Sequence, residues 1–171
     1  LIDNLAANGF NSISVERFEA YKDQFGELGC AKSHFMLLSN LLCKSNSRYH
    51  IILEDDFRFS IKFEQLLTLI NIIEKTRLEL DIFHLYTLRP IPEVVKKIQN
   101  KNKVANLCRI TYGQSTAAYV IKKSGLIKLT QNYLEALSNL KSNLTILKNK
   151  RLRGAFNMRF AIDNYWSQIQ A

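Results

Sequence analysis

The sequence contains little glycine and little proline, with 6 glycines and 2 prolines among 171 residues. Disordered chains are usually rich in glycine and proline and poor in apolar residues, whereas 47% of this chain is hydrophobic. The sequence also lacks an apolar run of the roughly 20 residues that a membrane-spanning helix requires. These absences argue against a disordered linker and a membrane-embedded segment, so we expect a folded domain with a substantial core.

Cysteine is scarce as well. The three cysteines, Cys30, Cys43 and Cys108, are an odd number and lack the spacing of a metal-binding motif. Cys30 and Cys43 fall within a helical pattern, where a small buried apolar role is the usual one. This usage predicts a protein of a reducing cytoplasm.

Acidic residues are outnumbered, with 15 Asp and Glu against 24 Lys and Arg, which gives a net charge of +9. The basic residues gather in two segments, 96–103 and 148–153. Nucleic acid, anionic lipid and a phosphorylated sugar donor are all compatible with this charge. Because neither segment alternates with aromatic residues, a nucleic-acid partner is disfavoured. We interpret segment 96–103 as a solvated surface and leave the role of segment 148–153 open.

The periodicity of the apolar residues predicts alternating helices and strands. The predicted helices cover residues 1–8, 28–44, a stretch that starts near residue 60, 124–134 and an amphipathic stretch over 133–147. The predicted strands cover residues 11–20, 49–53, 81–86, 104–110 and 116–121, whereas residues 89–103, with both prolines, are predicted to form a loop. This order is typical of a single α/β domain with a mostly parallel central sheet flanked by helices.

The strand predicted at residues 49–53 leads directly into three acids, Glu54, Asp55 and Asp56. Three adjacent carboxylates repel one another unless a cation holds them together. The carboxyl end of a strand in an open α/β sheet is also where ligands bind. Carboxylate oxygens suit Mg²⁺ or Mn²⁺, which often share a site with substrate phosphates. The alternative is an acidic turn that only caps the next helix.

Several segments of the chain carry a family resemblance. The segment 25–34 (FGELGCAKSH) and the segment 52–56 (ILEDD) together resemble glycosyltransferase family 25, which includes bacterial galactosyltransferases of lipooligosaccharide biosynthesis. Three further segments resemble blocks of that family in the same order: 81–85 (DIFHL), 113–125 (GQSTAAYVIKKSG) and 161–166 (AIDNYW). The chain departs from the pattern where Ala161 replaces a proline, where Gln114 and Ser115 interrupt a Gly-Thr pair, and in lacking the first block.

The resemblance implies a GT-A type, Rossmann-like fold that uses a UDP-sugar donor and Mn²⁺ or Mg²⁺. An ion that bridges the two phosphates stabilises the charge left on the diphosphate when its bond to the sugar breaks. Because side chains alternate along a strand, Glu54 and Asp56 are expected on one side and Asp55 on the other. We assign the metal to Asp56 and Glu54, with Asp56 as the direct ligand. Glu54 also holds the ribose or a metal-bound water, and Asp55 completes the donor-binding acids.

The resemblance also implies inversion at the sugar carbon, which requires a base for the acceptor hydroxyl. Asp163 is the first candidate, since Tyr165 and Trp166 beside it would stack on an acceptor sugar. The alternative is that Asp163 only caps a helix over residues 164–169. Glu27 is the second candidate base.

The start of the helix predicted at residues 28–44 is the expected donor-phosphate or uridine site, because its backbone N–H groups lack helical acceptors. Gly29 and Ser33 lie there, and Gly29 permits close approach. His34 either reaches a phosphate or the acceptor, or is a hydrogen-bonded structural residue. Arg151 and Arg153 would contact the diphosphate or anionic lipid headgroups.

These observations predict that residues 1–171 form a single glycosyltransferase domain that lacks its first strand and its C-terminal end. The predicted activity is transfer of a hexose, galactose from UDP-galactose, to a lipooligosaccharide or lipopolysaccharide sugar. The partners are then the nucleotide-sugar donor and a lipid-linked acceptor. Such an enzyme is expected in the cytoplasm, with peripheral contact to the inner face of the inner membrane. The alternatives are a non-catalytic nucleotide-sugar-binding module and a metal-dependent nucleotidyltransferase or phosphohydrolase.

Overall fold

The computed structural model describes residues 1–10, 15–75, 80–86, 88–100 and 103–165. The helices in these ranges are α1 (Ile2–Ala7), α2 (Gly26–Lys44), α3 (Phe63–Lys75), α4 (Lys123–Ser142), α5 (Leu144–Lys148), α6 (Lys150–Phe160) and α7 (Ile162–Tyr165). The strands are β1 (Tyr49–Leu53), β2 (Ile82–His84), β3 (Leu88–Asn100), β4 (Lys103–Gln114) and β5 (Ala118–Lys122). Among the described helices, none combines the length and the apolar content that crossing a bilayer requires.

A three-stranded sheet in the order β1-β5-β2 lies at the centre of the fold. Strand β5 runs antiparallel to both neighbours, and its Val120 lies opposite Ile51 on one side and Phe83 on the other. The mostly parallel sheet expected from the sequence is therefore wrong for the described strands. A strand that is apolar on both faces indicates that both faces are covered, and this holds for a central strand of either direction.

Two hydrophobic clusters cover the two faces of this sheet. Because side chains alternate along β5, Tyr119 and Ile121 enter one cluster and Val120 enters the other. The first cluster contains the apolar faces of α2 and α4 and is joined by α7. The second is formed by α1, α3 and the segment around Phe59. The layers are thus helix, sheet and helix, as the α/β prediction required.

Strands β3 and β4 form a separate antiparallel pair. The predicted loop over residues 89–103 is wrong, because residues 88–100 are the first strand of this pair. Pro90 and Pro92 are compatible with it, since a two-stranded ladder has only edge strands and the pairing is irregular next to both prolines. The strand predicted over residues 11–20 is not found either. Residues 15–20 form no regular element, and residues 11–14 lie outside the described residues.

The chain segment 21–25 lies against the start of α2. The backbone N–H of Tyr21 donates to Ser33 Oγ at 2.8 Å, and that hydroxyl donates to the Gly29 carbonyl at 2.7 Å. The backbone N–H of Phe25 donates to Asp23 Oδ1 at 3.0 Å. A Cβ at Gly29 would be 2.8 Å from the carbonyl oxygen of Tyr21. Glycine at position 29 therefore lets segment 21–25 approach the helix closely.

Gly29→Ala is expected to destabilise the fold by about 1–3 kcal/mol, because the new Cβ would collide with backbone. Alanine normally stabilises a helix interior relative to glycine, so the sign of the effect is diagnostic. Gly26→Ala is the matched control, since a Cβ there meets nothing within 4 Å. Urea unfolding of both variants measures the difference. Equal unfolding free energies would contradict the close approach of segment 21–25.

His84 makes the stability of the fold depend on pH. Burial lowers its pKa from the ordinary value of 6.5 to about 4. Between these two pH values the unfolded chain takes up a proton that folded His84 does not, so stability falls as the pH decreases from 6.5. The contribution is at most about 1.4 kcal/mol per pH unit.

We expect His84→Gln to reduce the loss of unfolding free energy between pH 7 and pH 5 by about 1–2 kcal/mol. Urea unfolding of the original protein and the variant at both pH values tests this. An identical pH dependence in the two proteins would show that His84 is not the group responsible.

Candidate functional site

Glu54 follows β1 directly and is held at the edge of the sheet. Its backbone N–H donates to the Ala117 carbonyl, just before β5, at 2.8 Å. Its side chain is half-buried, whereas Asp55 and Asp56 form an exposed turn. Because β1 ends at Leu53, strand alternation does not decide where these acids point, contrary to the argument made from the sequence. The structure does place all three at the carboxyl end of β1.

The Glu54 carboxylate is surrounded by polar groups from two other elements. Thr116 Oγ1, before β5, donates to Glu54 Oε1 at 2.5 Å. His34 Nε2, from α2, lies 3.7 Å from the same oxygen. The interactions with His34 and then with Thr116 lower the pKa of Glu54, and burial opposes them. Glu54 is therefore a fixed negative charge at neutral pH.

His34 lies between the sheet and Glu54. It is buried, and its Nδ1 is 3.3 Å from the hydroxyl of Tyr119 in β5. Tyr119 is fully buried, and burial raises the pKa of its phenol. The phenol is therefore neutral and fixes one edge of the imidazole, while the other edge faces Glu54.

Cys30 is the functional candidate that the sequence reasoning missed. Its Sγ, a ring nitrogen of His34 and a carboxylate oxygen of Glu54 all lie within 4.8 Å of one another. Cys30 is partly buried rather than a plain core residue. The available signal was its position four residues before His34 on a predicted helix, which places both side chains on one face. Nothing in the sequence singled out Thr116.

Glu27 is bound to a distant helix. Arg153, from α6, donates to Glu27 Oε1 through Nε at 3.0 Å and to Oε2 through Nη2 at 2.6 Å. These hydrogen bonds raise the pKa of the Arg153 guanidinium. Both carboxylate oxygens of Glu27 are thus engaged, so a proton-accepting role would require Arg153 to release it first.

Two other candidates at this helix, Gly29 and Ser33, contact segment 21–25 in the structure. Asp163 is the second residue of α7, and most of the helix predicted over residues 164–169 lies outside the described residues. Helix α7 is attached to α4, since Asn139 Nδ2 donates to the Tyr165 hydroxyl at 3.2 Å. Trp166 lies outside the described residues. Of the predicted site residues, His34 therefore lies next to Glu54, whereas Glu27 contacts Arg153 of α6.

Comparison of the sequence with known protein families identifies one that matches most of the chain. A sequence model described as glycosyltransferase family 25 (LPS biosynthesis protein) matches residues 19–144. These residues contain α2, the acidic end of β1, the whole three-stranded sheet and α4.

Three named relatives agree with this match. Mouse procollagen galactosyltransferase 2 is 28% identical over 125 residues, which are 68% of this chain and 19% of that protein. Procollagen galactosyltransferase 1-B of Xenopus laevis is 29% identical over 133 residues, 73% of this chain and 21% of that protein. The human inactive glycosyltransferase 25 family member 3 is 25% identical over 133 residues, 73% of this chain and 22% of that protein.

The chain thus spans about a fifth of the length of the curated relatives it matches. No solved structure matches it. The matched range nevertheless includes most of the described fold. The chain belongs to glycosyltransferase family 25.

Proposed function

We infer that this chain is the catalytic domain of a glycosyltransferase that moves a hexose, with inversion, from a nucleotide-sugar donor to a sugar acceptor. UDP-galactose is the proposed donor and galactose the transferred sugar, because two of the relatives are named galactosyltransferases. The observation that carries the proposal is the half-buried Glu54 followed by exposed Asp55 and Asp56 at the end of β1. A sugar diphosphate is the ligand that such a site, with a divalent ion, recognises.

The acids at the end of β1 are the proposed ligands of Mn²⁺ or Mg²⁺. Their oxygens are hard ligands, and Asp55 and Asp56 form an exposed turn next to the half-buried Glu54. Asp56 and Glu54 would hold the ion, and Asp55 would contribute to donor binding. The bound ion would offset the negative charge that the leaving diphosphate acquires. A GT-A type arrangement completed by further parts of the protein is consistent with this role.

Asp163 is the proposed base for the acceptor hydroxyl. It belongs to α7, whose Ile162 and Tyr165 pack in the same cluster as Tyr119. Glu27 is the weaker candidate, because Arg153 engages both of its carboxylate oxygens. An ionised carboxylate beside the acceptor would accept the proton as the new bond to the sugar forms.

A lipid-linked lipooligosaccharide or lipopolysaccharide sugar is the proposed acceptor, since the family description names LPS biosynthesis. The relatives named procollagen galactosyltransferases point to a second kind of acceptor, a protein. Helix α6 supports the lipid-linked acceptor, because its Arg151 and Leu152 are exposed and would suit an anionic membrane surface. The proposed location is therefore the cytoplasm, with peripheral contact at the inner face of the inner membrane.

A non-catalytic nucleotide-sugar-binding module is the second candidate, because one relative is named inactive. Calorimetry with UDP-galactose and Mn²⁺ separates the two functions when paired with a transfer assay. Binding without transfer in the whole protein would favour the binding module. Transfer to an oligosaccharide acceptor would favour the enzyme.

Asp56→Ala is expected to lower metal-dependent turnover of UDP-galactose by about 100-fold or more, because it removes a ligand of the diphosphate-bridging ion. Turnover is measured with Mn²⁺ and with a chelator. Asp3→Ala, an exposed acid in α1, is the control and should retain full turnover. Unchanged turnover in Asp56→Ala would remove Asp56 from the metal site.

Asp163→Asn is expected to lower kcat for transfer by about 100-fold to 10,000-fold while UDP-galactose binds as before. Transfer kinetics, together with calorimetry of donor binding, test both effects. If Glu27→Gln shows this behaviour and Asp163→Asn does not, the base is Glu27.

A further inference from the structure

Cys30, His34 and Glu54 each offer one possible metal-ligand atom, and these atoms lie within 4.8 Å of one another. Cys30 and His34 share one face of α2, because they are four residues apart. The backbone hydrogen bond of Glu54 to Ala117 holds the third ligand opposite them. We propose that these residues form a binding site for a zinc-type transition-metal ion, held by the Cys30 thiolate, His34 Nε2 and a Glu54 oxygen.

The spacing of the ligand atoms suits such an ion. Two atoms about 2.0–2.3 Å from a tetrahedral Zn²⁺ are separated by roughly 3.3–3.6 Å. His34 Nε2 and Glu54 Oε1 are 3.7 Å apart, too far for a good hydrogen bond and close to the separation of two ligands. All three ligand atoms lie within 4.8 Å of one another, so rotamer adjustments of about an ångström would bring them to this separation. Three protein ligands with a partly exposed carboxylate leave the fourth position to water.

Two buried hydroxyls already orient these ligands. With the metal on Nε2, the Nδ1–H of His34 donates to Tyr119, whose hydroxyl is 3.3 Å away and completely buried. Thr116 is buried as well and donates to Glu54 at 2.5 Å. Hydrogen bonds of this kind fix the tautomer of a ligating histidine and the direction of a ligating carboxylate. The site is therefore supported by β5 and by the segment before it.

The donor atoms distinguish this site from the acids at Asp55 and Asp56. Thiolate and imidazole select Zn²⁺ or Co²⁺, whereas carboxylates alone suit Mn²⁺ and Mg²⁺. Glu54 has two oxygens, so coordination through one leaves the other for the donor site. The thiol proton of Cys30 passes to solvent when the ion binds. This proposal goes beyond the proposed transferase activity and does not depend on it.

Cobalt is the probe that tests the site. Adding Co²⁺ to the reduced protein, without nucleotide, is expected to produce a thiolate-to-cobalt charge-transfer band in the near ultraviolet and intense visible bands of tetrahedral geometry. An equivalent of Zn²⁺ should displace the cobalt and abolish both. Cys30→Ser should eliminate the charge-transfer band, and His34→Asn should weaken cobalt binding at least tenfold.

Two variants serve as matched controls. Cys43 is an exposed cysteine on the same helix, so Cys43→Ser should retain the band. Asp56→Ala should also retain it, although that variant is expected to lose the manganese-dependent transfer. The failure of the zinc-type site and the failure of the transferase proposal are thus distinguishable.

Alkylation of the original protein provides a test that needs no variant. Zn²⁺ is expected to slow iodoacetamide labelling of Cys30 at least tenfold and leave Cys43 unaffected, as mass spectrometry of the labelled peptides would measure. The proposal is overturned by equal labelling of Cys30 with and without Zn²⁺. It is also overturned by a cobalt spectrum without thiolate bands, or by a band that persists in Cys30→Ser.

Discussion

The pairing of β5 with β1 and β2 is the constraint on which the rest of the structure depends. The first four residues of β5 are buried; Tyr119 and Ile121 enter one hydrophobic cluster, and Val120 enters the other. The same pairing extends past the strand ends, where the backbone of Glu54 bonds to Ala117. The segment that supplies Thr116 and Tyr119 to the site is therefore the segment that holds the sheet together. The core and the site are two parts of one arrangement.

Helix α2 shows how one element serves several purposes at once. The face with Gly29 and Ser33 accepts segment 21–25, and Glu27 in the first turn is bound by α6. The face with Cys30 and His34 meets Glu54. Each of these contacts requires a different residue type. The approach of segment 21–25 requires a glycine and a small hydroxyl, the contact with α6 requires an acid, and the proposed metal site requires a thiol and an imidazole. The stretch 25–34 therefore combines glycine, acidic, hydroxyl, thiol and imidazole side chains within ten residues.

The sequence predicted the elements of the fold better than their arrangement. Residues 49–53 form a strand as expected, and α2 lies where the periodicity of apolar residues placed it. Strand direction was not predictable, because an apolar run reports coverage of both faces and carries no information about the partner's direction. Residues 88–100 were missed for a related reason: proline excludes a central strand but is compatible with an edge, and only the partner strand reveals which applies. At the candidate site, the acids of residues 54–56 were identified from sequence as metal ligands, and that role stays a prediction. Cys30 and Thr116 were not identified, since their role arises from contacts between α2, β1 and the segment before β5.

The bond between Glu27 and Arg153 joins residues 126 positions apart in the chain. The family match ends at residue 144, whereas Arg153 and the core residues Leu147, Phe156, Ile162 and Tyr165 lie after it. A fragment trimmed to the matched range would expose part of the main core and leave the first turn of α2 with an uncompensated carboxylate. The range that the family model matches is thus shorter than the range of residues that build the main core.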